Sequence, residues 1–210
     1  MNKVKINEIF ERFSLNNPTP KIELKYQSPY HLLIAVLLSA QSTDRGVNAV
    51  TNKLFEIIKT PQDTVAMGLD TLKNWIKSIG LYNNKAKNII ALSQVLIDKY
   101  DCQVPEDFDA LCSLPGIGRK SANVILNTVW QHKVIAVDTH VFRVSNRIKL
   151  CRAKSAGQTE AQLMKVVPDK WLYNAHHWLV LHGRYTCKAR KPECAKCIIN
   201  DLCEYKHKLL

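Results

Sequence analysis

The sequence has 210 residues, 46% of them hydrophobic, enough for one large core or two small ones and too apolar for a disordered chain. Lys and Arg number 30 against 18 Asp and Glu, and the formal charge of +12 suits a polyanionic partner, most simply nucleic acid. The longest apolar run, residues 32–38, is far too short to span a bilayer, which excludes a membrane helix.

In chain order, Val4, Ile6, Ile9, Phe10 and Phe13 fall at helical spacing among charges. Residues 1–13 therefore read as an amphipathic helix rather than a secretory signal, and an intracellular protein is expected. Helical periodicity continues through 30–40, 44–58, 69–79, 84–100, 108–111, 121–130, 141–148, 161–166 and 171–182. Ser28 ahead of Pro29, Thr43 or Asp44, Asn83, Asp138 and Thr159 are the expected caps, while Pro61, Pro105 and Pro168 mark breaks. Residues 133–137 are the one β-branched stretch, with nothing nearby to pair with it. The expected fold class is all-α. No linker, repeat or low-complexity tract appears, so two domains would be joined by short connections.

Chemistry is concentrated in three places. From Leu111 to Asn123 the chain reads LCSLPGIGRKSAN, a short helix, a glycine turn and the start of a second helix. Gly116 and Gly118 permit backbone geometry that side chains would block, and they leave amide groups beside the positive end of the following helix. Such a helix start binds anions, which suggests a helix–hairpin–helix that grips a DNA phosphate without reading sequence. A bare G-x-G more often marks an ordinary turn; Arg119, Lys120 and the net charge favour phosphate here. The helix dipole and Arg119 also disfavour a further charge at Lys120, the setting in which a lysine amine acts as a nucleophile. Asp138, an expected helix cap, is the natural carboxylate to assist it by accepting a proton or stabilising positive charge on a sugar. His140 is expected to be structural.

The third place is a cysteine segment, Cys187, Cys194, Cys197 and Cys203, in the pattern C-x6-C-x2-C-x5-C. Only Cys102, Cys112 and Cys151 precede it, which argues against chance burial, and an intracellular setting argues against disulfides. Four clustered thiolates hold either zinc or an iron–sulfur cluster. Structural zinc usually takes two knuckles of short spacing, whereas only Cys194 and Cys197 form one, so a [4Fe–4S] cluster is favoured. It would staple the terminal segment; spacing does not exclude electron transfer.

The run LPGIGRKSANV from Leu114, VDTHVFRV from Val137 and the four-cysteine pattern closely resemble the bacterial endonuclease III family of helix–hairpin–helix DNA glycosylases. The likeness extends through LLSAQSTD from Leu37, IGLYN from Ile79, HHW from His176 and HGRYTC from His182, and it covers roughly residues 30–205. The resemblance implies removal of oxidised pyrimidines from duplex DNA, followed by cleavage of the abasic site through a lysine Schiff base. Lys120 matches the catalytic lysine and Asp138 the aspartate that assists it. Gln41 and Leu81 match residues that enter the gap left by a flipped nucleotide. Leu114, Gly116, Gly118 and Arg119 belong to the DNA-gripping hairpin, and Lys188, Arg190 and Lys191 to a cluster-held loop that meets the backbone. The four cysteines match the [4Fe–4S] ligands. The implied fold is all-α with two domains and a DNA cleft between them. One is a six-helix barrel over 22–132, with the hairpin motif at about 107–130. The other joins 1–21 to 133–210 and carries the cluster loop 187–203. The implied protein is a monomer acting in the cytoplasm at the nucleoid.

Three other readings are weaker. An adenine-removing glycosylase of the same superfamily typically lacks this lysine and carries a further C-terminal domain. A non-catalytic hairpin module gives Lys120 and Asp138 no joint role. An electron-transfer protein needs neither hairpin nor basic surface.

Overall fold

A computed structural model describes Met1–Leu209; Leu210, the last residue of the second expected domain, lies outside the described residues. The described chain is all-α, with no strand. In order the helices are α1 (Lys3–Asn16), α2 (Pro29–Ser39), α3 (Asp44–Ile57), α4 (Pro61–Met67), α5 (Leu69–Ile76) and α6 (Tyr82–Tyr100). There follow α7 (Phe108–Ser113), α8 (Arg119–Trp130), α9 (Thr139–Arg147), α10 (Ala156–Val166) and α11 (Asp169–Tyr185). No described helix is long and apolar enough to cross a membrane. The chain divides into two compact units, Ile22–Trp130 and Met1–Lys21 with Gln131–Leu210.

The first unit is built around α2, which is apolar on every side and buried from Tyr30 through Leu38. A helix with no polar face must be covered all round, and α3, α6 and α8 do so. The polar side chains that α2 buries are tied to neighbouring elements, with only His31 Nδ1 lacking a partner among the described residues. Tyr30 Oη donates to Thr64 Oγ1 at 2.7 Å and lies 2.6 Å from Ser93 Oγ. His31 Nε2–H donates to the Ile58 carbonyl at 2.8 Å, its ring stacked on Phe55.

The second unit packs α1 with α9, α10, α11 and the cysteine segment. Ile6, Ile9, Phe10 and Phe13, one face of α1, enter a core with Val141, Val144, Trp178, Leu179, Ile199 and Leu202. Phe10 is fully buried, which alone contributes about 2–3 kcal/mol. Arg12 bridges α1 to the cysteine segment by pairing with Asp201 and donating to the Ile198 carbonyl.

Several expected boundaries move. Pro61 marks the break between α3 and α4, as expected, and also opens α4: Thr60 and Asp63 form a capping box around it, and proline suits the first helical position. Helix α6 is entered through Leu81 in a left-handed conformation rather than capped by Asn83. Helix α8 begins at Arg119, which puts Lys120 in its first turn. Ser155, not Thr159, caps α10; Thr159 lies inside, its hydroxyl donating back to the Ser155 carbonyl at 2.9 Å. Residues 133–137 form no strand, and Ile135, Ala136 and Val137 are buried in the second unit.

Candidate functional site

The hairpin joins α7 to α8 within the first unit. Leu114, only 2% exposed, closes α7, and its carbonyl accepts from the Ile117 amide at 3.1 Å. The Gly118 carbonyl then receives the Ala122 amide, the first turn of α8. The two glycines differ in what they face. Gly116 has φ +81°, and a Cβ there would lie 2.8 Å from Asn88 Nδ2 and 3.0 Å from Leu37 Cδ1. A Cβ on Gly118 would meet nothing. The fold therefore demands glycine at 116, while at 118 only something outside the protein would. Arg119 is exposed and sits over the Phe108 ring at 5.0 Å. Lys120 is exposed, and its amine makes no hydrogen bond or ion pair among the described residues.

The same unit brings Gln41 and Leu81 together. Both are exposed, and both hold left-handed backbone, at φ 54° and 60°, where a side chain is costly. Leu81 is 57% exposed, a large apolar side chain offered to solvent. The turns pack on each other, since a Cβ on Gly80 would lie 3.6 Å from the Gln41 carbonyl. A buried lysine, Lys85, ties them. Its sequence neighbourhood carried no signal, because its partners lie more than 40 residues away and a lysine is ordinarily exposed.

In the second unit Asp138 is half-buried and caps α9, its Oδ1 accepting from the Val141 amide at 2.7 Å. The chain leading to it is held from α11, where His176 Nδ1–H donates to the Ala136 carbonyl at 2.8 Å. His140 has a structural place: its Nδ1 accepts from Arg143, which also donates to the Gly183 and Cys187 carbonyls.

Cys187, Cys194, Cys197 and Cys203 line one cavity of the second unit. Burial pushes the Cys197 thiol up to about 11, with the other three cysteines adding to the rise, and burial raises Cys203 as well. Four thiolates so close need a positive centre to share. Among the described residues no three His, Cys, Asp or Glu side chains converge tightly enough for a single metal ion. The four cysteines that line the cavity supply the thiolate donor set an iron–sulfur cluster takes. Arg147 of α9 shapes the adjoining loop, donating to the Lys188 carbonyl at 2.7 Å and the Ala189 carbonyl at 3.0 Å. Lys188 pairs with Glu193, whose carboxyl it holds below the usual range, while Arg190 and Lys191 stand exposed.

A glycine hairpin feeding a lysine-bearing helix, with a four-thiol pocket in a second helical unit, defines a class. Residues 34–169 match the HhH-GPD superfamily base excision DNA repair protein model, and residues 187–203 match the iron–sulfur binding domain of endonuclease III. The endonuclease III of Haemophilus influenzae is 56% identical over 209 residues, 100% of this chain and 99% of the relative. That of Escherichia coli K12 is 54% identical with the same coverage. A solved structure of a trapped endonuclease III–DNA covalent intermediate, an estranged-adenine complex, superposes with a TM-score of 0.91 at 45% identity, covering 97% of this chain and 96% of the other. The chain belongs to the endonuclease III family. It is a base-excision repair enzyme, a bifunctional DNA N-glycosylase and abasic-site lyase, and it carries a [4Fe–4S] cluster.

Proposed function

We propose that this enzyme removes oxidised pyrimidines from duplex DNA and cleaves the resulting abasic site, with Lys120 as nucleophile and Asp138 as the assisting carboxylate. The observation that carries the reading is the Lys120 amine, exposed and without a partner among the described residues, in the first turn of α8 directly after the hairpin. A hairpin that holds a backbone phosphate on its amides presents that amine to a nearby sugar. Similarity to an enzyme trapped covalently on DNA supports an amine-based mechanism.

The target nucleotide must leave the stack, because C1′ is shielded within it. Gln41 pairs with the orphaned base and Leu81 wedges into the gap, which gives their exposed, left-handed placement a purpose. Lys120 as the free amine bonds to C1′; the glycosidic bond breaks, and the base departs with the electron pair and takes up a proton. The amine loses its proton and the ring opens to an imine. Loss of a C2′ proton then expels the 3′ phosphate, and water releases the lysine. Asp138 uses one oxygen to cap α9; its other oxygen accepts a proton or stabilises charge on the sugar. Leu114, Gly116, Gly118 and Arg119 hold the strand, and Arg190, Lys191 and Lys188 meet its backbone. Cys187, Cys194, Cys197 and Cys203 hold the cluster, which supplies a rigid anchor for that basic loop. The protein acts as a monomer, in the cytoplasm at the nucleoid.

Borohydride trapping tests this on duplexes carrying one thymine glycol, an adenine mismatch or no lesion. A covalent adduct is expected with thymine glycol alone, and Lys120→Ala should bind DNA yet trap nothing. Adducts that persist in Lys120→Ala would overturn the nucleophile. Excision at the adenine mismatch instead of thymine glycol would overturn the substrate class.

A further inference from the structure

Lys85 is 5% exposed, yet among the described residues no carboxylate accompanies it. Its ammonium has three donors, and three acceptors take them: the Leu38 carbonyl at 2.9 Å, the Ala40 carbonyl at 2.6 Å and Ser42 Oγ at 3.2 Å. All three lie on the end of α2 and the turn that follows. The last carbonyls of a helix carry the negative end of its dipole. The cation thus caps α2 from a different helix.

A buried, unpaired cation is an expensive way to pack two helices, since an apolar side chain would do so at lower cost. What Lys85 achieves that packing would not is control of the residue between two of its acceptors. That residue is Gln41, held at φ 54° and exposed. On its own helix Lys85 donates its backbone amide to the Leu81 carbonyl at 3.1 Å, so it also closes the turn that holds Leu81 left-handed. One residue therefore grips both strained positions, one through its amine and one through its main chain.

We infer that Lys85 is a positioning residue for base extrusion: it sets the placement of Gln41 relative to Leu81, and so governs filling of the gap in the duplex. This rests on the proposed roles of Gln41 and Leu81. Lys85 itself touches neither sugar nor base. Its loss should therefore weigh on steps that need a duplex to be opened, and much less on chemistry at a sugar already accessible.

The test uses cluster-loaded protein and two substrates, a thymine glycol duplex and a single strand with one abasic site. Single-turnover rates are measured on each for wild type, Lys85→Met and Lys85→Arg, with 2-aminopurine opposite the lesion reporting insertion into the gap. In Lys85→Met, duplex excision should fall at least tenfold more than single-strand cleavage, and the 2-aminopurine signal should fall with it. Lys85→Arg should recover part of both. Ser42→Ala removes one acceptor while leaving the cation in place, and should show the same selective loss on a smaller scale even if Lys85→Met folds poorly. Equal losses on both substrates in Ser42→Ala or Lys85→Met, or no loss, would overturn the inference while leaving the function intact. A wild type that neither excises thymine glycol nor cleaves the abasic strand would instead overturn the function, and this role with it.

Discussion

At the scale of single residues, the two hairpin glycines separate folding from binding. Alanine at 116 meets Asn88 and Leu37 and must hold φ +81°, which should cost about 1–3 kcal/mol. Alanine at 118 meets nothing within the protein, and reduced freedom of the unfolded chain should leave stability equal or raised by up to about 1 kcal/mol. If a phosphate approaches that backbone closely, the added methyl should still weaken binding to abasic-site duplex about tenfold, equivalent to about 1.4 kcal/mol. Urea unfolding and fluorescence anisotropy check the pair. Tight binding by Gly118→Ala would place the DNA elsewhere. The hairpin was legible because its residues are consecutive and local geometry sets their conformation. Lys85 was not, because its meaning lies in carbonyls brought to it by another helix.

Among the elements, α9 depends on a residue with two duties. Asp138 caps the helix and is also the proposed assistant at the sugar. Asparagine caps as well as aspartate, so Asp138→Asn should keep stability within about 0.5 kcal/mol while excision falls on the order of 100-fold. Asp138→Ala should lose the chemistry and about 1 kcal/mol besides. Matched melting curves and single-turnover rates distinguish these; full excision by Asp138→Asn would confine the residue to its cap. Helix boundaries show why patterning alone falls short. Periodicity located the apolar stripe of α10 but not its first turn, 156–160, whose Ala, Gly, Gln, Thr and Glu carry no stripe. Helix α4 was missed for a related reason: it is 7 residues long and opens on Pro61, and its stability comes from the Thr60–Asp63 box.

For the whole molecule, charge and burial set the response to pH. His177, 8% exposed in the core of α11, has its pKa pushed down to about 3 by burial, with neighbouring His176 adding to the drop. The unfolded chain takes up that proton near pH 6.5, whereas the folded chain does so only near 3. Stability is therefore full above pH 6.5 and falls as acid is added, on the order of 2 kcal/mol from this residue between pH 6.5 and 5. Urea midpoints for His177→Gln should decline less steeply over that window; parallel curves would show that His177 titrates normally. At this scale the sequence made the all-α class, the basic charge and the cysteine segment readable, since each is written in composition or short spacing. That the Gln41 and Leu81 turns meet followed from the family resemblance alone, because the pairing depends on α2 being enclosed by helices distant in sequence.

The most direct test of the account is to find which amine bonds to DNA. Cluster-loaded enzyme would be reduced with borohydride on an abasic-site duplex, digested, and the modified peptide sequenced by mass spectrometry. A single modified residue, Lys120, carrying the sugar remnant is expected. A remnant on any other lysine or on the N-terminal amine, with Lys120 unmodified, would contradict it.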